Sequence, residues 1–132
     1  MKTKRVLDAY ALLAYLNEEA GHARVKHHLE SSDSELLMNA INVGEIFYIL
    51  ARARSMRDAE YFLSVILPSL PIAVVESSLE DVIEAARLKA VYTLSYADCF
   101  AAATAIRERA ALVTGDPEFK KLGKAVSLDW LG

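Results

Sequence analysis

The apolar positions of the chain change period along its length, and the changes divide it into strands and helices. Short runs with little polar relief, RVLD at 5–8, ELLMNA at 35–40 and PIAVV at 71–75, read as strands. ALVTGD at 111–116 is a strand running into a turn, and a last short strand falls at about 125–128. Between them the apolar residues recur at three and four. Leu12, Leu13 and Leu16 mark one helix, and a more polar one runs from Gly21 to about Glu30. Asn42 starts a helix carrying Ile46, Ile49, Leu50 and Ala53 on one face, and another runs from about Arg57 to Leu67 and stops at Pro68. Ser78 opens a helix to about Tyr92, and Ser95 opens an alanine-rich one ending near Arg109. Strands alternating with helices predict a mainly parallel sheet covered on both faces, a three-layer α/β/α sandwich.

Composition narrows the class. At 132 residues, 54% of them hydrophobic and 25% charged, residues 1–132 suit one compact domain with a real core. A net charge of −3 argues against a nucleic-acid binder that works by basic charge alone. It leaves room for a nuclease, because bound metal ions reverse the sign of an acidic site. The opening MKTKRVLDAYALLAYL has the basic-then-apolar order of a signal peptide, but Asp8 interrupts it and Asn17, Glu18 and Glu19 stand where a cleavage site would be. No apolar run approaches the roughly 20 residues of a membrane span. The single Cys99 cannot form an internal disulfide, and the expected setting is cytoplasmic.

Four carboxylates stand out, each with a modest local explanation. Asp8 ends the first strand; Glu45 closes N-V-G-E, and Asp98 closes S-Y-A-D, both spaced like capping boxes; Asp116 precedes Pro117 as a helix cap would. Their joint placement is harder to dismiss. In an open parallel sheet ligands bind beyond the carboxyl ends of the strands. Asp8 and Asp116 lie there directly, while Glu45 and Asp98 begin helices at that end. Two unit charges ~4 Å apart repel by about 4 kcal/mol at an effective dielectric of 20, so such a cluster calls for compensation. The donors are all oxygen, which favours Mg²⁺ or Mn²⁺ over zinc and suits in-line displacement at phosphorus.

The series VLDAYALLAYL, INVGEIFYIL, LSYADCFAAATAI and LVTGDPEF resembles the PIN-domain ribonucleases, and within them the VapC-like toxins of toxin–antitoxin pairs. The resemblance covers essentially the whole chain. It implies metal-dependent cleavage of single-stranded or loop RNA by water, leaving a 5′-phosphate and a 3′-hydroxyl. Carried over by position, it implies that Asp8, Asp98 and Asp116 hold metal and that Glu45 binds metal or a metal-held water. Thr114 matches a position that orients a ligand, and Asn42 one near the site. It also implies an RNA substrate, a cognate antitoxin covering apolar surface of the early helices (10–17 and 42–67), and a homodimer. One departure is plain: the family often has Ser, Thr or Asn one or two residues after the first Asp, where this chain has Ala9 and Tyr10.

Other residues carry weaker signals. His22, His27 and His28 are expected on a solvated face, Cys99 in the packing of its helix, and Phe47, Phe62 and Phe100 in the core. Tyr10 and Tyr48 each lie within a turn of a proposed ligand. Lys120, Lys121 and Lys124 follow Asp116 closely, and Arg52 belongs to a second basic group with Arg54 and Arg57; both are candidates for phosphate contact. A haloacid-dehalogenase-type phosphatase would need a second acid at position 10, and a Rossmann or Walker binder a glycine-rich turn after the first strand. The alternatives that stay open are a PIN nuclease of RNA processing and a non-catalytic PIN-like binding module.

Overall fold

The computed structural model describes residues 2–132. Five strands, β1 (Thr3–Leu7), β2 (Ser34–Asn39), β3 (Ile72–Val75), β4 (Ala111–Thr114) and β5 (Leu128–Trp130), form one sheet in the order β3-β2-β1-β4-β5. Every pairing is parallel, with Val6 set beside Leu37 on one side and Leu112 on the other. A parallel sheet needs both faces covered, and alternate residues of the same strands serve two cores. Leu7, Leu36, Met38 and Val113 face α1 (Ala9–Leu16), α2 (His22–Glu30), α3 (Ala40–Ala53) and α4 (Met56–Tyr61). Val6, Leu37 and Leu112 face α6 (Leu79–Val91) and α7 (Tyr96–Glu108). The expected three-layer sandwich is the observed one.

The face of helix α7 that meets the sheet is mostly alanine. Ala101, Ala102, Ala103 and Ala105 are buried with Cys99, so Cys99 is a packing residue as expected.

Three boundaries differ from the sequence expectation. Helix α3 begins at Ala40, not Asn42, because the Asn39 side chain accepts the Ile41 N–H and acts as the cap. Asn42 then lies in the first turn and Glu45 in the second, so Glu45 belongs to no capping box. The helix expected to stop before Pro68 continues through a wider turn, Phe62–Ile66, into α5 (Leu67–Ser69). Pro68 stands in the first turn of that last piece, where no backbone donor is required of it. The last strand starts at Leu128 instead of about 125, because Asp116 and Pro117 start a 3₁₀ segment that runs to Ala125 through a non-helical Gly123 (φ 56°).

One histidine corrects its expectation. His28 is buried, with Nε2 2.9 Å from Asp129 Oδ2. Burial depresses its pKa, and Arg5 and Arg24 add to this against the pull of Asp129. Asp129 receives Arg24 Nε at 2.6 Å and Arg5 Nε at 3.3 Å, which ties β5 to α2 and β1. Burial works to raise that carboxyl, but the Arg24 hydrogen bond and the neighbouring cations outweigh it and hold it below its ordinary value. Among the described residues no helix is long and apolar enough to cross a membrane.

Asp129→Ala would leave Arg5 facing Arg24 and His28 with no counter-charge. Urea unfolding at pH 7.5 should show a loss on the order of 3 kcal/mol; an unchanged midpoint would mean the cluster is only a surface contact.

Candidate active site

Strand order reverses between β1 and β4: the chain fills the sheet outward from β1 to β3 on one side and from β4 to β5 on the other. A crevice forms at such a point beyond the carboxyl ends of the strands. Asp8 follows β1 there and caps α1, its Oδ1 accepting the Ala11 N–H at 2.8 Å. Thr114 ends the neighbouring strand and donates its hydroxyl to Asp8 Oδ2 at 2.5 Å. The same hydroxyl oxygen accepts the Asp116 N–H at 3.0 Å. Thr114 thus joins two of the proposed ligands through one oxygen.

The other two acids reach the crevice on helices. The capped start of α3 is fixed deep in the protein, since Asn39 also donates to Thr104 Oγ1 at 3.0 Å and to Ser77 Oγ at 2.8 Å. From the next turn Asn42 donates to the Ala97 carbonyl at 3.0 Å, which binds α3 to the first turn of α7 beside Asp98. Ser95 caps α7 by accepting the Asp98 N–H at 3.1 Å. A comparison within the chain separates cap from ligand. At the start of α6, Ser78 and Asp81 complete both bonds of a capping box, and Asp81 is held below its ordinary pKa, first of all by the Ser78 backbone N–H. Asp98 has the same spacing from its cap, yet its pKa is raised to about 6. Asp116 does act as a cap, accepting the Glu118 N–H at 2.9 Å.

Electrostatics joins the four into one group. Asp8, only 2% exposed, is raised to about 7, chiefly by burial. The bonds from Thr114 and Ala11 pull it back, and the charges of Asp98 and Asp116 push it further up. Asp98 is raised by burial, then by Asp116 and Glu45, against the Ser95 hydroxyl. Glu45 is raised by burial and by Asp116, with Asn42 opposing. Each acid in the group therefore feels at least one of the others.

Do these residues fit a metal? Among the described residues no three acid, His or Cys side chains lie close enough together to enclose an ion as they stand. Two buried oxygens, Glu45 Oε1 and Asn42 Oδ1, have no hydrogen-bond partner. Orphaned acceptors beside carboxylates whose burial disfavours the ionised form are what a hard divalent cation satisfies. The donor set fits Mg²⁺ or Mn²⁺.

The basic residues are less free than the sequence implies. Lys121 Nζ donates to Thr93 O and Oγ1 at 3.1 and 2.9 Å and also pairs with Glu118, so it holds the 3₁₀ segment to the loop before α7. Lys120 lies 4.4 Å from the centre of the Trp130 ring, and the Arg52 guanidinium lies 5.5 Å from that of Tyr48. Lys124 is exposed. Sequence reasoning missed Glu118, whose charge also acts on Asp98; its nearness to Asp116 in sequence was the available signal. It also missed Gly115, the buried residue between Thr114 and Asp116, against which the Tyr10 ring packs.

Comparison with known proteins follows the geometry. The PIN-domain family model matches residues 5–125. Among solved structures the chain is similar to a chain of VapBC2 from Rickettsia felis bound to a DNA fragment from its promoter. The TM-score is 0.77 at 16% identity, covering 98% of this chain and 100% of that one. VapC20 of Mycobacterium tuberculosis, a sarcin–ricin loop cleaving toxin, gives 0.75 at 18%, covering 90% and 95%. PAE2754 from Pyrobaculum aerophilum gives 0.65 at 22%, covering 96% and 90%. No curated protein matches in sequence.

A buried acid with a raised pKa contributes stability that is present below its unfolded value and lost as pH rises through the folded one. For Asp8 that window runs from about 3.8 to about 7. Asp8→Asn should therefore melt higher than the parent at pH 8 in EDTA, by roughly 5 °C or more, with the gap closing toward pH 4. A gap of the opposite sign at pH 8 would show that Asp8 is not held against its charge.

Proposed function

The chain belongs to the PIN-domain family, and from that membership we propose that it is a divalent-metal-dependent endoribonuclease, the toxin of a toxin–antitoxin pair, that cuts single-stranded or loop RNA. The observation that carries the reading is the gathering of four mutually sensed acids at the sheet's reversal point, two unpartnered oxygens belonging to Glu45 and Asn42 among them. Its resemblance to toxin structures from several organisms supports the toxin assignment over a role in RNA processing.

In this reading Asp8, Asp98 and Asp116 hold Mg²⁺ or Mn²⁺. The bound cation supplies the charge that draws in a phosphodiester and makes water a competent nucleophile at phosphorus. The protein does the positioning. Thr114 keeps Asp8 Oδ2 and the Asp116 backbone in fixed relation, and Asn42 locks the Glu45 helix to the Asp98 helix. Glu45 in this reading takes the proton of the attacking water, a role supported by its buried, unpartnered Oε1 and raised proton affinity. Lys124 and the partly engaged Lys120, Lys121 and Arg52 serve as outer phosphate contacts.

Surface chemistry supports two partners. Met56, Tyr61, Leu63 and Val65 are exposed along α4 and its continuation, beside a hollow of about 210 Å³ lined by Leu16, Leu50, Phe62 and Ile66. An antitoxin's amphipathic segment suits that surface. On the opposite layer, Leu79 is 77% and Val91 75% exposed on α6, with Ile83 and Ile106 between them. The exposed Leu79, Ile83 and Val91 of α6 suit a self-complementary contact with a second copy of the chain, a homodimer.

Purified chain freed of any partner should cleave a mixed single-stranded RNA pool with Mg²⁺ or Mn²⁺ and not with EDTA. Asp98→Asn and Glu45→Gln should each lose at least about 100-fold while keeping the parent's circular dichroism. Cleavage that survives in Asp98→Asn, or in EDTA, would end the proposal. For the dimer, light scattering should report twice the monomer mass for the parent and the monomer for Leu79→Glu/Val91→Glu; a parent that is already monomeric removes that interface.

A further inference from the structure

Tyr10 is one of the two positions after Asp8 where the resemblance would put Ser, Thr or Asn, and its surroundings give it a use of its own. It follows Asp8 by two residues in the first turn of α1, yet it is 44% exposed. Its ring rests on Gly115, the residue between Thr114 and Asp116. A Cβ at position 115 would stand 2.4 Å from Tyr10 Cε1 and 2.9 Å from Cζ, so the ring occupies the space any other residue would fill there. A side chain at position 115 would have to displace the tyrosine ring. Gly115 is also the hinge between the hydroxyl that fixes Asp8 and the carboxylate of Asp116.

The ring is therefore seated against the acidic crevice while nearly half of its residue surface faces solvent. Tyr10 also lines a hollow of about 330 Å³ with Leu13, Ala14, Glu19 and Ala20, at the lower end of the roughly 300–1,000 Å³ typical of small-ligand pockets. Two other exposed tyrosines stand within a turn of a proposed ligand: Tyr48 carries the Arg52 guanidinium over its ring, and Tyr96 packs edge-on against Phe100. Base stacking on an aromatic ring tolerates any sequence, because every base has a π-face.

Resting on the nuclease reading above, we propose that Tyr10 is a substrate-binding residue: its ring, braced on Gly115, stacks a base of the single-stranded RNA beside the phosphate held at the acids.

The test uses the whole chain, freed of partner, on a mixed-sequence fluorescent single-stranded oligoribonucleotide with Mn²⁺, with Mn²⁺ affinity measured separately by calorimetry. Tyr10→Phe keeps the π-face and should stay within about twofold of the parent. Tyr10→Leu keeps an apolar cap over Gly115 without it, and should raise KM roughly 5- to 100-fold while kcat and Mn²⁺ affinity hold. Gly115→Ala pushes the ring aside and should raise KM similarly. The double variant Tyr10→Leu/Gly115→Ala should then be no worse than either single, since both remove one interaction.

An unchanged KM in Tyr10→Leu overturns the proposal, as does a loss matched by weaker Mn²⁺ binding, which would make the ring a prop for the acids. Weaker capture of a partner with unchanged KM would assign Tyr10 to the docking surface instead. A parent chain that neither binds nor cuts the oligonucleotide sinks the nuclease reading itself, and is recognised because no variant is needed to see it.

Discussion

The hydrogen bond from Thr114 to Asp8 is the contact on which the rest of the arrangement depends. It spans the seam between the two central strands, where the sheet changes direction, and joins residues 106 apart in sequence. A carboxylate as buried as Asp8 is unfavourable when ionised, and the hydroxyl and the Ala11 N–H recover part of the lost hydration. They recover only part. What remains is a site in which burial raises the proton affinity of Asp8, Asp98 and Glu45. The protein keeps this strain because every element around it is over-determined: strands on both sides, a capped helix at each acid, and the alanine face of α7 against the sheet.

That view explains how two of the acids serve as caps and still face the others. Asp116 and Asp8 cap their segments, as simple helix rules suggest. Capping uses Asp8 Oδ1 and Asp116 Oδ1. A single carboxylate can terminate a helix and still present an oxygen to a ligand. The contrast of Asp98 with Asp81 shows how environment divides two identical spacings: one lies on the surface and stays a cap, the other faces three further acids.

The strand–helix alternation was legible because period-two and period-three patterns differ sharply and the alternation leaves few topologies. The edge on which the acids gather was legible too, as a consequence of chain direction. Boundaries were less so. Asn39 outcompeted Asn42 as a cap because its side chain is held by Thr104 and Ser77, contacts 65 and 38 residues away that no local window contains. His28 read as solvated because its helix is polar; its partner Asp129 lies in the last strand. Pro68 looked like a stop, and a widened turn carried the helix past it. Long-range partners decided each case.

The two cores divide the acids between them. Asp8 and Glu45 ride on helices packed against one face of the sheet, while Asp98 and Asp116 open segments packed against the other. The crevice is thus a pair of jaws with the sheet as its hinge plate. Few ties, notably Asn42 to Ala97 and Thr114 to Asp8, cross from jaw to jaw. A shift in either core therefore moves one pair of acids relative to the other.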